Sequence, residues 1–137
     1  MKDDCIFCKI ATGKIPSATV YEDSHFRVIL EINPATKGHC LIIPKEHFDN
    51  IYDLDGETAG KLFSLATCIA RAMRDALGCD GMNIVQNNGE IAGQTVLHFH
   101  LHLIPRYEGD GVQLTWKPNE SNEEELEEIR KAIRKEI

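Results

Sequence analysis

The 137-residue chain has no long apolar run and no excess of basic residues, and its number of cysteines is odd. A membrane-spanning helix needs about 20 consecutive apolar residues, so none is expected. The opening residues, MKDDCIFCKI, also lack the basic start and apolar core of a secretory signal. With a formal net charge of -7, no broad surface for nucleic acid or for an anionic membrane is expected. A small anionic ligand in a local pocket is still compatible with this charge.

The five cysteines are an odd number, which does not suit a secreted domain stapled by disulfides. A reducing compartment keeps such residues as thiols, so we expect a cytoplasmic protein. The chain also lacks internal repeats, low-complexity tracts and interdomain linkers. Its hydrophobic residues, 42% of the total, are enough for one buried core, and we expect a single domain over residues 1–137.

The hydrophobic pattern predicts an α+β fold with a mainly antiparallel sheet, one long helix and a C-terminal helix. Strands are expected in a hairpin over residues 19–31 and in segments 39–45, 82–87 and 96–105. Between Asp55 and Gly78, apolar residues recur at helical spacing, with a capping residue at each end. The C-terminal helix is expected at about residues 121–136, with Ser121 and Glu124 as a capping box. Its narrow apolar stripe is enough to dock on the body or on a neighbouring subunit.

Three histidines alternate with large apolar residues in the stretch HFHLHLIPR, residues 98–106. In an extended strand, side chains two positions apart share a face and lie about 7 Å from each other. We therefore expect His98, His100 and His102 on one face and the intervening apolar residues against the long helix. The pattern is compatible with a ladder of zinc ligands or with a nucleophile and its assisting groups. Purely structural histidines are disfavoured, because three buried imidazoles need three sets of partners.

A second candidate metal-binding pattern is CIFC, in which Cys5 and Cys8 have the spacing that lets two thiolates bind one zinc ion. Tetrahedral zinc needs two further ligands, and His47 and His98 are the candidates. The alternatives are a redox pair or two unpaired thiols in a frayed N-terminus. Thioredoxin-like chemistry is disfavoured because no strand precedes the motif.

Assigning His98 to zinc leaves two histidines of the stretch for chemistry. His100 and His102 are then the candidates for chemistry, and His39, at the entrance of a strand, is a possible third member. A zinc ligand at position 98 lies only about 7 Å from His100, so its ring must turn away from that residue. His25, in a polar turn, is expected to be exposed.

Taken together, these segments resemble the histidine triad (HIT) superfamily of nucleotidyl hydrolases and transferases. The resemblance covers residues 5–107 in order, through CIFCKI, GHCLIIPKEH, the long helix, NNGEIAGQT and HFHLHLI. The ending IPRY is of the type seen in bacterial members. The resemblance implies a homodimer of α+β subunits whose sheets join across the interface. It also implies a hydrolase whose purine nucleotide substrate is a dinucleoside polyphosphate or a nucleoside phosphoramidate.

The resemblance further implies a role for each of His100, His102 and His39. His100 would attack the α-phosphorus and form a nucleotidyl-histidine intermediate, which water hydrolyses to the nucleoside monophosphate. An imidazole with a pKa of about 6.5 is largely unprotonated at neutral pH and can attack without a strong base. His102 and His39 would donate hydrogen bonds to the phosphate and assist the leaving group. The zinc ion would be structural, since a closed four-ligand shell leaves no position for substrate.

Two further segments would hold the nucleotide. Glu31 occupies the place where many family members have an aspartate for the ribose hydroxyls, and its extra methylene changes the reach of the carboxylate. Ile32 would face the base. The loop around the α-phosphate would consist of Asn87, Gly93, Gln94, Thr95 and Val96, which offer backbone N–H groups and short polar side chains.

Two other functions are compatible with the same residues. One is a nucleotide-binding regulatory module with incidental hydrolysis, since a fold alone does not fix a function. The other is a zinc hydrolase with the metal on His98, His100 and His102 and an activated water.

Overall fold

In the computed structural model of residues 1–137, five antiparallel strands form one sheet. The strands are β1 Thr19–Glu22, β2 Phe26–Leu30, β3 Cys40–Pro44, β4 Gly81–Val85 and β5 Leu101–Arg106. Their order in the sheet is β1-β2-β3-β5-β4. The helices are α1 Ile6–Ala11, α2 Gly56–Leu77 and α3 Glu123–Lys135, with one 3-10 turn at Glu90–Ala92. The predicted α+β fold, with one long helix and a C-terminal helix, is confirmed.

Helix α2 begins and ends where its sequence signals predict. The Asp55 side chain accepts a hydrogen bond from the Thr58 backbone N–H, and Gly78 ends the helix with a φ of 64°, a left-handed conformation that favours glycine. The buried face of α2 packs against apolar residues of the 99–103 segment, in a core that includes Leu62, Ala66, Ile69, Met73, Phe99, Leu101 and Leu103. This helix therefore covers one face of the sheet and fixes the segment that carries the histidines.

Helix α1 has no counterpart among the predicted elements, because six residues are too few for helical periodicity to be visible. It packs on the opposite side of the sheet from α2. There Ala11 lies in a small cluster with Ile29, Leu41 and Ile43, and Phe7 and Ile10 pack against it. The CIFC motif is therefore part of an ordered helix on the sheet and not of a frayed terminus.

The predicted start of one strand and the predicted cap of α3 are wrong. The histidine-bearing strand begins at Leu101 and not at residue 96, because β5 pairs with β3 only from Leu101 onward and with β4 only from His102 onward. Phe99 is held instead by its backbone N–H, which donates to the Phe48 carbonyl at 2.7 Å. Helix α3 begins after Asn122, whose side chain accepts the Glu125 N–H. Ser121 is therefore not its cap, although both residue types are good N-caps.

Residues 113–137, which include α3, are all exposed. No helix of the chain is both long enough and apolar enough to cross a lipid bilayer.

Gly38 lets the chain turn into β3 directly before His39. Its φ is 93°, and a Cβ at this position would lie 2.5 Å from Leu77 Cδ1. We expect Gly38→Ala to lower the free energy of unfolding by about 1–3 kcal/mol. Gly60→Ala, in α2 with open space around it, should leave that free energy unchanged or raise it by up to about 1 kcal/mol. Urea unfolding measures both values, and equal effects would contradict the strain at Gly38.

Candidate active site and metal centre

Two cysteines and two histidines converge where α1 meets the segment before β5. His98 Nδ1 lies 3.4 Å from both Cys5 Sγ and Cys8 Sγ, and His47 Nδ1 lies 3.3 Å from Cys8 Sγ. The two Nδ1 atoms are 3.1 Å apart, and all four ligand atoms lie within 4.8 Å of one another. Zinc bonds of about 2.3 Å to sulfur and 2.0–2.1 Å to nitrogen place tetrahedral ligand atoms about 3.3–3.8 Å apart. The cluster therefore has the composition and the spacing of a zinc site.

The remaining ring nitrogens of the two histidines are also bonded. His47 Nε2 lies 2.8 Å from Asp49 Oδ1, and His98 Nε2 lies 2.8 Å from the Pro44 carbonyl oxygen. A carbonyl or a carboxylate can only accept, so each Nε2 carries the proton and each Nδ1 directs its lone pair at the cysteines. Such outer partners fix the tautomer and the orientation of metal-binding histidines.

The two sulfurs receive backbone hydrogen bonds. Lys2 N–H donates to Cys8 Sγ at 3.4 Å, and Cys8 N–H donates to Cys5 Sγ at 3.3 Å. Burial raises the pKa of the Cys8 thiol, and the Lys2 hydrogen bond opposes this shift. A thiol that coordinates a metal ion is deprotonated by it. Two thiolates and two imidazoles suit zinc, whereas calcium and magnesium prefer oxygen ligands.

His100 is separated from this cluster by the direction of its ring. It is 6% exposed, and its Nδ1 lies 2.8 Å from the His98 carbonyl oxygen. Nδ1 must therefore be the donor, which leaves the lone pair of a neutral ring on Nε2. The four-residue cluster is the only group of three or more candidate metal ligands in the chain. His98 directs Nδ1 at the cysteines and Nε2 at the Pro44 carbonyl oxygen, so its ring does not face a metal shared with His100 and His102.

His39 and His102 form a hydrogen-bonded series beside His100. The Ala35 backbone N–H donates to His39 Nδ1 at 3.0 Å, so a neutral His39 carries its proton on Nε2. That Nε2–H can donate to His102 Nδ1, which is 2.9 Å away. A neutral His102 then carries its own proton on Nε2. The ring centroids of His102 and His100 are 5.0 Å apart, so the site presents one unprotonated nitrogen and one N–H donor side by side.

Burial keeps these imidazoles neutral, since desolvation disfavours the cation. It lowers the pKa of His39 and of His100. Burial, with the adjacent His100 and His39, lowers the pKa of His102 to about 4. The negative charge of Glu31 opposes each of these shifts. At neutral pH the hydrogen-bonded series therefore has the tautomers described above.

Glu31 and Ile32 follow β2 and border the histidines. Glu31 N–H donates to the His39 carbonyl at 2.8 Å, so the Glu31 backbone is fixed to the backbone of His39. Its Oε1 accepts the Asn33 N–H at 3.0 Å, and Oε2 has no partner within the protein. Ile32 is 87% exposed. This segment therefore offers one free carboxylate oxygen and one solvent-facing apolar side chain.

The loop of residues 87–96 is built around the buried side chain of Gln94. Its Oε1 accepts the Gly89 N–H at 2.8 Å. Its Nε2 donates to the Asp49 carbonyl at 2.7 Å and to the Val96 carbonyl at 3.1 Å. The Gln94 amide therefore makes its hydrogen bonds within the protein, to the loop itself and to Asp49.

The outer part of the same loop has unused donors. The backbone N–H groups of Thr95 and Val96 have no acceptor within the protein, and Thr95 is exposed. Gly93 has a φ of 96°, and a Cβ there would lie 3.4 Å from Asn87 Nδ2. The predicted loop residues therefore divide into three kinds. Gln94 and Gly93 shape the loop, Asn87 lies beside Gly93, and Thr95 and Val96 have free N–H groups.

Phe7 is a site residue that the sequence pattern did not identify. Its ring meets the His100 ring edge-on, with centroids 4.9 Å apart and planes at 85°. It also contacts His98 at a centroid distance of 6.1 Å. Phe7 lies between the two cysteines of CIFC, but only the packing of α1 on the sheet reveals which side chain it meets. His25, as predicted, is exposed and outside the site.

Comparisons with known proteins agree on one family. The HIT domain profile matches residues 12–109. A crystal structure of a HIT family member from Bacillus subtilis has a TM-score of 0.93 and 47% identity, over 98% of both chains. Adenosine 5′-monophosphoramidase HNT1 of Saccharomyces cerevisiae is 38% identical over 94% of this chain and 80% of its own length. A zinc-bound histidine triad family protein from Mycobacterium smegmatis has a TM-score of 0.76 and 41% identity, over 96% of this chain and 94% of its own.

Proposed function

This chain belongs to the HIT domain family, and we propose on that premise that it is a nucleotide hydrolase acting at an α-phosphate. Its substrates are purine dinucleoside polyphosphates or nucleoside 5′-phosphoramidates, and its product is a nucleoside monophosphate. The observation that carries the proposal is the hydrogen-bonded series of His39, His102 and His100, which pairs an unprotonated nitrogen with an N–H donor. The similarity to a yeast adenosine 5′-monophosphoramidase supports the reaction type.

In the first step, the lone pair of His100 Nε2 forms a bond to the α-phosphorus. The bond from phosphorus to the leaving group breaks, and its electron pair goes to that group, which takes up a proton from solvent. The His102 Nε2–H donates a hydrogen bond where negative charge develops. In the second step, water attacks the same phosphorus and gives up a proton to solvent. The phosphorus–nitrogen bond breaks, and its electron pair returns to Nε2, which restores neutral His100.

The His98 carbonyl assists both steps through His100 Nδ1. The imidazole becomes positively charged when Nε2 bonds to phosphorus. Its Nδ1–H, 2.8 Å from the His98 carbonyl oxygen, then makes a charge-assisted hydrogen bond, which is stronger than a neutral one. The same contact keeps Nε2 from being the protonated nitrogen beforehand.

The nucleotide contacts follow from the free groups around the histidines. The unpartnered Oε2 of Glu31 accepts from a ribose hydroxyl, and Ile32 lies against the base. The free N–H groups of Thr95 and Val96 donate to the α-phosphate oxygens. Gln94 and Gly93 act indirectly, by holding the loop in shape.

We also propose that the cluster of Cys5, Cys8, His47 and His98 holds a structural zinc ion. When bound, zinc would supply a closed tetrahedral crosslink between α1 and the segment before β5. That crosslink would hold Phe7 against His100. The zinc-bound family member from Mycobacterium smegmatis supports this assignment.

The proposed assembly is a homodimer whose two sheets join along β4. This strand is an edge of the sheet, and an unpaired edge is a ready template for a further strand. The five cysteines, all free thiols, suit the cytoplasmic location that we propose with it.

The function is tested by incubating the purified protein with adenosine 5′-phosphoramidate and, separately, with diadenosine tetraphosphate. AMP is measured by chromatography over time. We expect AMP from at least one substrate, and the ratio of kcat/KM values then identifies the preferred class. AMP binding without turnover of either substrate would contradict the hydrolase and favour the regulatory module.

His102→Ala should reveal the role of this residue at the leaving group. We expect kcat to fall by about 10²–10³-fold for an alkylamine leaving group, because the lost N–H donor stabilises charge at a poor leaving atom. For a nitrophenol leaving group, which needs little assistance, the loss should be much smaller. Steady-state rates with an alkylamine phosphoramidate of AMP and with a nitrophenyl ester of AMP measure this difference. Equal losses would assign His102 to phosphate binding alone.

A further inference from the structure

Helix α3 lacks any covering surface within its own chain. Every residue from 113 to 137 is exposed, including the apolar stripe of Leu126, Ile129 and Ile133, which are 54%, 48% and 58% exposed. An isolated helix of 13 residues is only marginally stable in water, and helices of this length normally depend on packing of an apolar face. The stripe therefore needs a partner surface.

The charges of α3 are divided between its two halves. The residues before Ile129 include five glutamates, Glu123, Glu124, Glu125, Glu127 and Glu128. The residues after it include four bases, Arg130, Lys131, Arg134 and Lys135. Two such helices side by side in parallel would repel each other along both halves. In antiparallel orientation, each acidic half faces a basic half.

We propose that α3 pairs in antiparallel orientation with α3 of a second copy of this chain. A two-fold axis near Ile129 brings this residue against its own counterpart. Leu126 then packs against the partner's Ile133, and Ile133 packs against the partner's Leu126. The contact is self-complementary, as a two-fold interface requires, and it does not depend on the proposed function.

The charged residues beside the stripe select the same alignment. Glu123, Glu127, Arg130 and Arg134 follow the i, i+4, i+7, i+11 spacing, which places them along one side of the helix. With the axis near Ile129, Glu123 faces the partner's Arg134, and Glu127 faces the partner's Arg130. Within one helix, Arg130 Nε already lies 2.8 Å from Glu127 Oε2. Apolar and charged pairs thus agree on one register to within one residue.

The pair is small in comparison with a standard interface of about 800 Å² per partner. It is therefore strongest between chains that another contact already holds together, since tethering raises the effective concentration of each helix for the other. An alternative occupant of the stripe is the body of a second copy, and mixing two charge variants distinguishes the two.

The test uses hydrogen–deuterium exchange of residues 122–136 in the full-length protein. One variant is Glu123→Arg with Glu127→Arg, and the other is Arg130→Glu with Arg134→Glu. Each variant alone faces like charges in the pair, so α3 should lose protection on the order of tenfold. An equimolar mixture again pairs opposite charges between chains. Protection should then recover toward the wild-type value in both variants.

The mixture is decisive because charge clashes within one helix persist after mixing, whereas those between helices disappear. Glu124→Arg with Glu128→Arg makes the same charge change on the side away from the stripe, and it should keep most of the protection. Three results would overturn the proposal. They are an unprotected wild-type α3, full protection in either variant alone, and a loss that mixing does not restore. The last result would place the stripe on another surface of the partner.

Discussion

Replacing His100 with alanine should reduce AMP release on the order of 10⁴-fold or more while AMP binding stays close to that of the wild type. The variant lacks the nitrogen that bonds to phosphorus, and the loss of a nucleophile is among the largest effects that one substitution has on catalysis. The ribose and phosphate contacts that we propose lie on Glu31 and the 87–96 loop and are retained. Initial rates with the preferred substrate and calorimetry with AMP measure the two effects.

His25→Ala is the matched control, because His25 is exposed and its ring has no partner in the site. It should keep the wild-type rate within about twofold, as surface substitutions away from a site usually do. His100→Gln, which preserves more of the side-chain volume, guards against a packing effect and should be equally inactive. A His100→Ala rate above about a tenth of the wild-type value would exclude His100 as the nucleophile.

Replacing Cys8 with serine should abolish stoichiometric zinc and lower the melting temperature by about 10 °C. The zinc crosslink that we propose would join α1 to residues far apart in sequence, and binding free energy at a structural zinc site adds directly to folding free energy. A loss of about 3 kcal/mol corresponds to this shift in a domain of this size. Metal analysis of the purified protein and calorimetric unfolding measure both quantities.

Cys68→Ser is the control for the loss of a thiol, because Cys68 is exposed and outside the cluster. It should keep full zinc and the wild-type melting temperature. A chelator should lower the melting temperature of the wild type to that of Cys8→Ser, and added zinc should restore it. Unchanged zinc content in Cys8→Ser would contradict the four-ligand assignment.

The sequence was sufficient to predict the long helix and the convergence of Cys5, Cys8, His47 and His98. Helix α2 has regular apolar spacing over 22 residues and a capping residue at each end, so local signals and tertiary packing agree. The candidate ligands Cys5 and Cys8 follow from their spacing. His47 and His98 could be chosen because tetrahedral zinc needs two more ligands and few histidines are available.

The start of β5 shows where a period-two pattern misleads. Phe99 points into the core with Leu101 and Leu103, so the apolar alternation continues outside the hydrogen-bonded ladder. Alternation reports which face is buried, whereas a strand also needs paired neighbours. The segment that carries His98 and His100 is therefore irregular, and each ring takes its direction from its own partners.

The tautomers of the site histidines and the shape of the 87–96 loop depend on contacts that no local sequence pattern contains. The tautomers of His39 and His102 follow from one backbone N–H, that of Ala35. The inward direction of the Gln94 amide follows from Gly89 and Asp49. Residues far apart in the chain meet at these points, so their roles become visible only in the folded structure.

The two-step reaction on His100 is tested most directly by the stereochemical course at phosphorus. A substrate with a chiral α-phosphorothioate of one known configuration is hydrolysed in isotopically labelled water, and the configuration of the product is determined. Two successive in-line displacements, the first by His100 and the second by water, predict net retention. Net inversion would show a single direct attack by water and would contradict the nucleotidyl-histidine intermediate.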